Sequence, residues 1–361
     1  MNRIDCEPLV AILTPVYNGA RFLRETMECV QASDYGNLVH IVLDNASTDA
    51  TPEIIESFQG RRVPVVVRRN PKTVPMIDNH NAAVTLCPKE AKYFRNLCAD
   101  DLMAPAAISR QVEIAERFPE VTVVGCQCRA IGLCGSELPR GRAVFAADEV
   151  VRWYLRRETA AISGTQALIR ASAVDFSRPF YDAQLLDRWD TDANLRLVMQ
   201  GAFGFVHEEL AFFRMHDSGH TSLVAIPEGT HDFDWLMLLD RYGPLVMTRK
   251  EYKHCRNLYR RHLLRRLLLL RWRQGDRRLF DLQMRRFAEI NDTPGFAGFF
   301  GALLEWLYFA ATGQRHRVGS PRAAAGSLGA GKARHNERDA SAIRTTSPFP
   351  AMPGKSSSAS E

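Results

Sequence analysis

Residues 10–49 decide the fold: VAILTPVYN (10–18) and VHIVLDNASTD (39–49) each run from an apolar strand into a cluster of polar side chains. The first strand ends at Tyr17 and Asn18, the second at Asp44, Asn45, Ala46, Ser47, Thr48 and Asp49. In an open parallel α/β sheet, ligands bind in the crevice outside the carboxyl ends of the strands, so this placement marks a nucleotide site.

The same rhythm continues outward. Apolar runs at 9–14, 38–43, 63–67, 93–98 and 121–127 alternate with helix-like stretches at 20–32, 50–58, 75–86 and 105–118. That alternation predicts an α/β fold around a mostly parallel sheet flanked by helices. Asp49 or Thr48, ahead of Pro52 and Glu53, marks a helix start whose free amides a side-chain oxygen can cap, and Gly60 helps to end that helix. Beyond 130 the expected order is a hairpin-like piece, a helix near 148–157, a short strand at TQALIR (165–170), a helix containing Asp187, Asp190 and Asp192, and two short strands at 203–206 and 210–214. Residues 230–312 read as helical, and 314–361, rich in Ala, Gly, Ser and Pro, as disordered. The chain thus divides into an α/β domain (1–228), a helical, basic region (229–313) and a tail (314–361).

With 361 residues, 46% of them hydrophobic, the chain can bury a sizeable core. Its net charge of +6 hides a split. Residues 1–248 carry 25 Lys and Arg against 32 Asp and Glu, net −7, whereas 249–286 carry 14 against 3, net +11. Such a basic block suits anionic lipid headgroups or a phosphorylated partner. Nucleic acid is the weaker reading and is not expected as a partner, because no recognised nucleic-acid module accompanies the charge. The eight cysteines lack a paired CxxC arrangement, and Cys126, Cys128 and Cys134 have no histidine cluster nearby. Free thiols of a reducing cytoplasm are the expectation. The start, MNRIDCEPLV, passes from charged residues into the first strand without the apolar core of a secretory signal, which also points to the cytoplasm.

Asp100 and Asp101 follow the apolar run YFRNLC (93–98) at another strand end on the same rim. Two readings stand: the pair holds Mg²⁺ or Mn²⁺, ions typically bound by one or two carboxylates plus water and substrate phosphates, or it caps the helix starting near Pro105.

Taken in order, Thr14-Pro-Val-Tyr-Asn18, Asp44-Asn-Ala-Ser-Thr-Asp49, Cys98-Ala-Asp-Asp101 and Arg214-Met-His216 resemble the family 2 glycosyltransferases of the GT-A fold, over roughly residues 8–222. The resemblance implies transfer of a sugar from a nucleotide diphosphate donor to an acceptor hydroxyl, with a divalent metal (Mn²⁺ or Mg²⁺) and inversion at the anomeric carbon. By position, Thr14, Pro15, Tyr17 and Asn18 belong to the nucleoside pocket. Asp44 would accept a hydrogen bond from the base, and a carboxylate facing an imide N–H favours UDP- or dTDP-sugars over GDP-sugars. Asn79 and Asn81 match polar positions that help hold the donor, and Arg68 or Arg69 would approach the base or diphosphate. Asp100 is assigned to the ribose or donor sugar and Asp101 to the metal. The acidic motif departs from Asp-x-Asp in having Cys98 at its first position.

In LLDRWDTDANLRL (185–197), Asp190 matches the family's catalytic base, with Asp187 as the fallback and Arg196 following; Asp192 reads as a helix-surface residue. Such a base takes the acceptor's hydroxyl proton as its oxygen attacks C1 opposite the leaving diphosphate. Arg214 and His216 lie on a loop that in the family closes over the donor, where the histidine touches metal or phosphate; His220 lies beside them. Gln184, Arg188 and Trp189 imitate the Gln-x-x-Arg-Trp element of processive polysaccharide synthases, but one residue too long and ahead of the base. A transferase in bacterial surface polysaccharide or glycan assembly, acting on a glycan or lipid-linked acceptor, is therefore expected. Against it stand a sugar-nucleotide-forming nucleotidyltransferase, which needs a Gly-rich basic loop that TPVYNGARF (14–22) does not provide, and a non-catalytic nucleotide-sugar-binding or scaffold protein at the membrane.

Near the C-terminus Tyr259, Leu263, Leu267 and Leu270 form one helical stripe, with Arg260, Arg261 and Arg265 on another face. An interfacial membrane helix and a helix docked on the catalytic domain both fit this pattern. Residues 295–312 are apolar except for Glu305 and near the lower length limit for a span, which suits a docking or monotopic helix.

Overall fold

Strands β1 (Val10–Val16), β2 (Leu38–Asp44), β3 (Val65–Arg69) and β4 (Tyr93–Asn96) lie parallel in the order β3-β2-β1-β4, as the apolar runs anticipate. The computed structural model describes residues 7–312 except 131–137, 163, 165–166, 215, 218, 221, 224–227, 229, 270 and 272–276. The tail expected to be disordered, Cys134 and Leu270 lie outside these residues. β1 is buried along its whole length because it has a strand on either side and apolar clusters above and below.

Helices α1 (Leu23–Gln31), α2 (Thr51–Glu56) and α3 (Met76–Thr85) make the crossovers between these strands. The N-cap of α2 is Ala50, which has no side-chain cap, while Asp49, one residue earlier, accepts the Thr51 amide on Oδ1 at 3.0 Å. Next come β5 (Leu102–Met103), α4 (Ala107–Arg117), β6 (Val121–Ala130), β7 (Val144–Ala146), α5 (Ala147–Leu155), β8 (Leu168–Arg170), α6 (Trp189–Val198) and β9 (Ala202–Phe213). The sheet runs β3-β2-β1-β4-β8-β6-β9-β5, with β7 also on β9. It is mixed: β8 is antiparallel to both β4 and β6, and β9 is parallel to β6. Two reversals cancel, so β9 ends on the same rim as β1, β2 and β4.

Two details differ from expectation. The strands expected at 203–206 and 210–214 are one strand, β9, whose pairing with β6 jumps from Val206↔Cys126 to Glu209↔Gln127. His207 and Glu208 bulge there, and their polarity made a continuous strand read as two. β5 was not expected at all, because two residues carry no period.

The last elements are α7 (Thr230–Val246), α8 (Arg249–Leu269), α9 (Arg277–Glu289) and α10 (Phe296–Thr312). Tyr259, Leu263 and Leu267 of α8 are buried, and Tyr259 stacks on Trp235 of α7 with ring centroids 6.0 Å apart. Much of the basic block is neutralised internally: Arg256 and Arg260 pair with Asp292, Arg265 with Glu305 and Arg266 with Asp232. For α8 the docked-helix alternative is therefore the one observed. Among the described residues no helix is long and apolar enough to cross a membrane.

Candidate active site

The β1 and β2 ends are stitched together by side chains. Asn18, in the left-handed region at φ 49°, donates its amide to Ser47 Oγ at 2.9 Å, and its Oδ1 accepts the Thr48 amide at 2.9 Å. Ala46 also has positive φ, 57°, which costs a non-glycine residue on the order of 1 kcal/mol. Gly19 completes the corner, since a Cβ there would lie 2.5 Å from Val16 Cγ2. Tyr17 stands out from this frame, 51% exposed, rather than packing in the core.

Asp44 is buried, and its oxygens accept the Ser47 amide at 2.9 Å and the Arg69 guanidinium. Arg69 also donates to Ser47 O at 2.9 Å, while Arg68 only reaches its neighbour Val67 O. Of the two arginines it is thus Arg69 that faces the site, over a cavity lined by Asp44, Pro52, Ile55 and Val67. Four expected donor-binding positions turn out differently placed. Thr14 and Pro15 are sealed inside β1 opposite Val42 and Leu43, with Thr14 Oγ1 2.9 Å from His40 Nε2, so neither side chain lines an open pocket. Asn81 is spent on the backbone of Tyr181, donating to its carbonyl at 3.0 Å and accepting its amide at 2.7 Å. Asn79, also buried, accepts from Asn70 Nδ2 at 2.9 Å, and Asn70 in turn bonds Asn45. It holds the loop after β3.

Neither Asp100 nor Asp101 caps α4, whose start has no side-chain cap. Asp101 is buried and accepts the Arg214 amide on Oδ1 at 3.1 Å, a bond set up by the antiparallel register Leu102↔Phe212. Asp100 Oδ2 lies 3.0 Å from His216 Nε2. Ligand atoms of Cys98, Asp100 and Asp101 fall within 4.8 Å of one another. Two carboxylates, a thiol and an adjacent imidazole form a donor set that fits a divalent cation. Arg214 pairs with Glu25 and lies 5.2 Å above the Phe22 ring, against which His216 also packs at 4.5 Å. The Nη1 of Arg214 is buried with no hydrogen-bond partner among the described residues. A buried guanidinium nitrogen without an acceptor is costly and suits an anionic ligand.

Asp190 lies in the first turn of α6, in a small pocket with Asn96, Tyr181 and Asn194. Burial first, then the charge of Asp187, pushes its carboxyl up to about 6, against the Thr191 amide and hydroxyl that hold it. The fallback, Asp187, shifts the other way: burial opposes its charge, but the His231 hydrogen bond and nearby cations prevail and keep it below the usual carboxylate range. Tyr181 links the two parts of the site, because burial, then the charges of Asp190 and Cys98, raise its hydroxyl well above the ordinary value. Asp192 is not a surface residue: it is fully buried, accepting from Arg241 at 2.7 Å and Tyr242 at 2.8 Å. Arg196 donates to Phe180 O and His220 Nε2 lies 3.2 Å from Leu186 O, both bracing loops. Trp189, of the Gln-x-x-Arg-Trp lookalike, is buried against His80 and Tyr181. Reasoning from sequence missed Phe22, Glu25, Asn96 and Tyr181. For Phe22 and Glu25 there was a signal, since the first turn of a helix following β1 must lie on the same rim.

The profile described as "Glycosyl transferase family 2" matches residues 11–176. An uncharacterized glycosyltransferase of Rickettsia typhi is 27% identical over 235 residues, 62% of this chain and 69% of that protein. One from Rickettsia prowazekii is 32% identical over 133 residues, 36% of this chain and 37% of the relative. Among solved structures, S. aureus TarS 1–349 in complex with UDP-GlcNAc superposes with a TM-score of 0.58 at 12% identity, over 86% of this chain and 93% of that one. The mannosyltransferase PcManGT from Pyrobaculum calidifontis, in complex with GDP-Man and Mn²⁺, gives 0.52 at 14% identity, over 86% and 82%. At such identities the two structures speak for the fold alone.

Proposed function

Given that the chain belongs to glycosyl transferase family 2 and has the GT-A fold, we propose that it is a metal-assisted, inverting transferase using a nucleotide diphosphate sugar, with Asp190 as base. One observation carries this reading: a carboxylate whose pKa burial raises to about 6 shares a pocket with Asn96 at the end of β4, and the acidic cluster and Arg214, one of whose guanidinium nitrogens is buried without a partner among the described residues, follow the neighbouring strand ends. Asp190 and Arg214 lie beyond the matched segment 11–176, so their roles rest on geometry and on the resemblance.

Asp190 takes the acceptor's hydroxyl proton as oxygen attacks C1, and Arg214 Nη1 donates to the diphosphate oxygen on which charge grows. Tyr17 covers the nucleoside while Arg69 offers a cation at the β2–β3 end. Asp100, Asp101 and His216, with Cys98 beside them, would hold the divalent metal, which when bound supplies fixed positive charge for the leaving diphosphate. A thiol in place of a carboxylate tilts the site toward Mn²⁺ over the harder Mg²⁺. Both TarS and PcManGT have been captured with nucleotide sugars, one a UDP- and the other a GDP-sugar. With Asp44 tied to Arg69, a pyrimidine donor remains our choice on the grounds of carboxylate–imide pairing.

A binding and hydrolysis screen against UDP-, dTDP- and GDP-sugars, with Mn²⁺ and with chelator, tests this. Metal-dependent selection of a pyrimidine donor is the expected result, and no binding of any donor would return the chain to the non-catalytic scaffold reading.

The proposed acceptor is a glycan or lipid-linked glycan of bacterial surface assembly, reached from the cytoplasm at the membrane face. Supporting this, α10 exposes Phe296, Phe300, Leu304 and Tyr308, spaced four apart on one stripe, with Arg277, Arg278 and Arg285 exposed on the preceding helix. Full-length protein should float with vesicles containing phosphatidylglycerol, and the pair Phe296→Ser, Phe300→Ser should cut that binding about tenfold or more. Equal flotation of the double variant would remove α10 from the account.

A further inference from the structure

The start of the helix carrying Asp190 has no cap of its own. Its N-cap residue, Arg188, makes no side-chain capping bond, and amides at a helix start left unpaired in the interior are costly. The partner comes from some 46 residues along the chain. Asp234 Oδ2, on α7, accepts the Asp187 amide at 2.7 Å and the Arg188 amide at 3.0 Å. Its Oδ1 accepts Arg286 Nη2, from α9, at 2.8 Å. Asp234 is fully buried and the Arg286 side chain nearly so, with the guanidinium 4.6 Å from the Phe233 ring.

Other bonds from the same region converge on the same turn. The His231 carbonyl accepts Arg188 Nε at 3.1 Å, and His231 Nδ1 meets Asp187 Oδ2 at 2.5 Å. One turn later, Arg241 and Tyr242 hold Asp192. Asp190 is therefore bracketed by anchors on α7, while its own carboxylate accepts only from Thr191 among the described hydrogen bonds.

We infer that Asp234 and Arg286 are positioning residues for the transfer reaction: a cap supplied in trans by the C-terminal helices that fixes where Asp190 points. The inference rests on Asp190 as base. It gives the helical region a catalytic duty separate from any membrane role. General-base catalysis depends on hydrogen-bond reach to the hydroxyl, and a displacement of about 1 Å at such a group can cost on the order of 100-fold. The donor, held at the strand ends, is not touched by this pair.

The test uses the full chain and two variants, Asp234→Asn and Arg286→Lys. The first keeps acceptors for both amides but removes the charge opposite Arg286; the second keeps the charge pair and changes its reach. Expected for each is a 10- to 100-fold fall in kcat with the donor KM within about twofold. Amide exchange should quicken at 187–191 and stay unchanged in β1–β4, and the acid limb of the kcat profile should shift. Arg286→Lys is the milder change and carries the test if Asp234→Asn does not fold. Loosened exchange at 187–191 with unchanged kcat and pH limb overturns the proposal, as does a rise in donor KM that accounts for the whole loss. If Asp190 is not the base, Asp190→Asn itself turns over normally, a failure distinguishable from that of the clamp.

Discussion

Asp190→Asn is expected to lower sugar transfer by about three orders of magnitude while leaving donor binding intact and making the protein more stable. The loss follows from removing the group that accepts the hydroxyl proton, a contribution usually worth 10²–10⁴-fold. The gain follows from linkage. Asp190 has its folded pKa raised from 3.8 to about 6. Its contribution to stability is therefore fully present below pH 3.8 and is lost as pH rises through about 6. At neutral pH the folded state holds a carboxylate that burial disfavours, at a cost of about 1–3 kcal/mol. Asparagine keeps an acceptor for the Thr191 amide and lays down the charge, so the melting temperature should rise by a few degrees. Thermal melts beside turnover assays check both halves. Loss of activity together with loss of stability would show Asp190 to be a structural residue, and full activity would pass the role to Asp187.

The second large effect is at Asp101, which does two jobs: one oxygen anchors the Arg214 amide, and the carboxylate belongs to the acidic cluster. Asp101→Ala removes both and should abolish turnover. Asp101→Asn separates them, since an amide oxygen still accepts from Arg214 N but is a far weaker ligand for a hard cation. For the asparagine variant we expect a normally folded protein whose Mn²⁺-dependent donor affinity falls by about 10- to 100-fold. Mn²⁺ titration followed by electron paramagnetic resonance reads the metal directly. Undiminished Mn²⁺ binding and donor affinity in both variants would take the metal away from this cluster.

The sheet and the rim were legible because each depends on short-range pattern. Largely apolar runs ending in Tyr17-Asn18, Asp44–Asp49 and Asp100-Asp101 locate strand ends without any knowledge of partners. What stayed hidden depends on residues distant in sequence. Asp192 read as a surface residue because its partners, Arg241 and Tyr242, lie about 50 positions away. Asn81 carries the same polarity whether it meets a ligand or, as observed, the Tyr181 backbone. The arginines of α8 sum to a strongly basic block on paper, and only the fold reveals Asp232, Asp292 and Glu305 opposite them. Burial of Thr14 and Pro15 was a matter of which way a strand faces and how many neighbours it has, and β1 has two.

The pH dependence of kcat, measured from pH 4.5 to 8.5 with saturating donor and acceptor, tests the central claim most directly. A base with a pKa of about 6 must be ionised to act, so log kcat should climb with unit slope below pH 6, level off above it, and lose that limb in Asp190→Asn. A wild-type profile flat down to pH 4.5, or a limb that survives in Asp190→Asn, would contradict the assignment of Asp190 as the base.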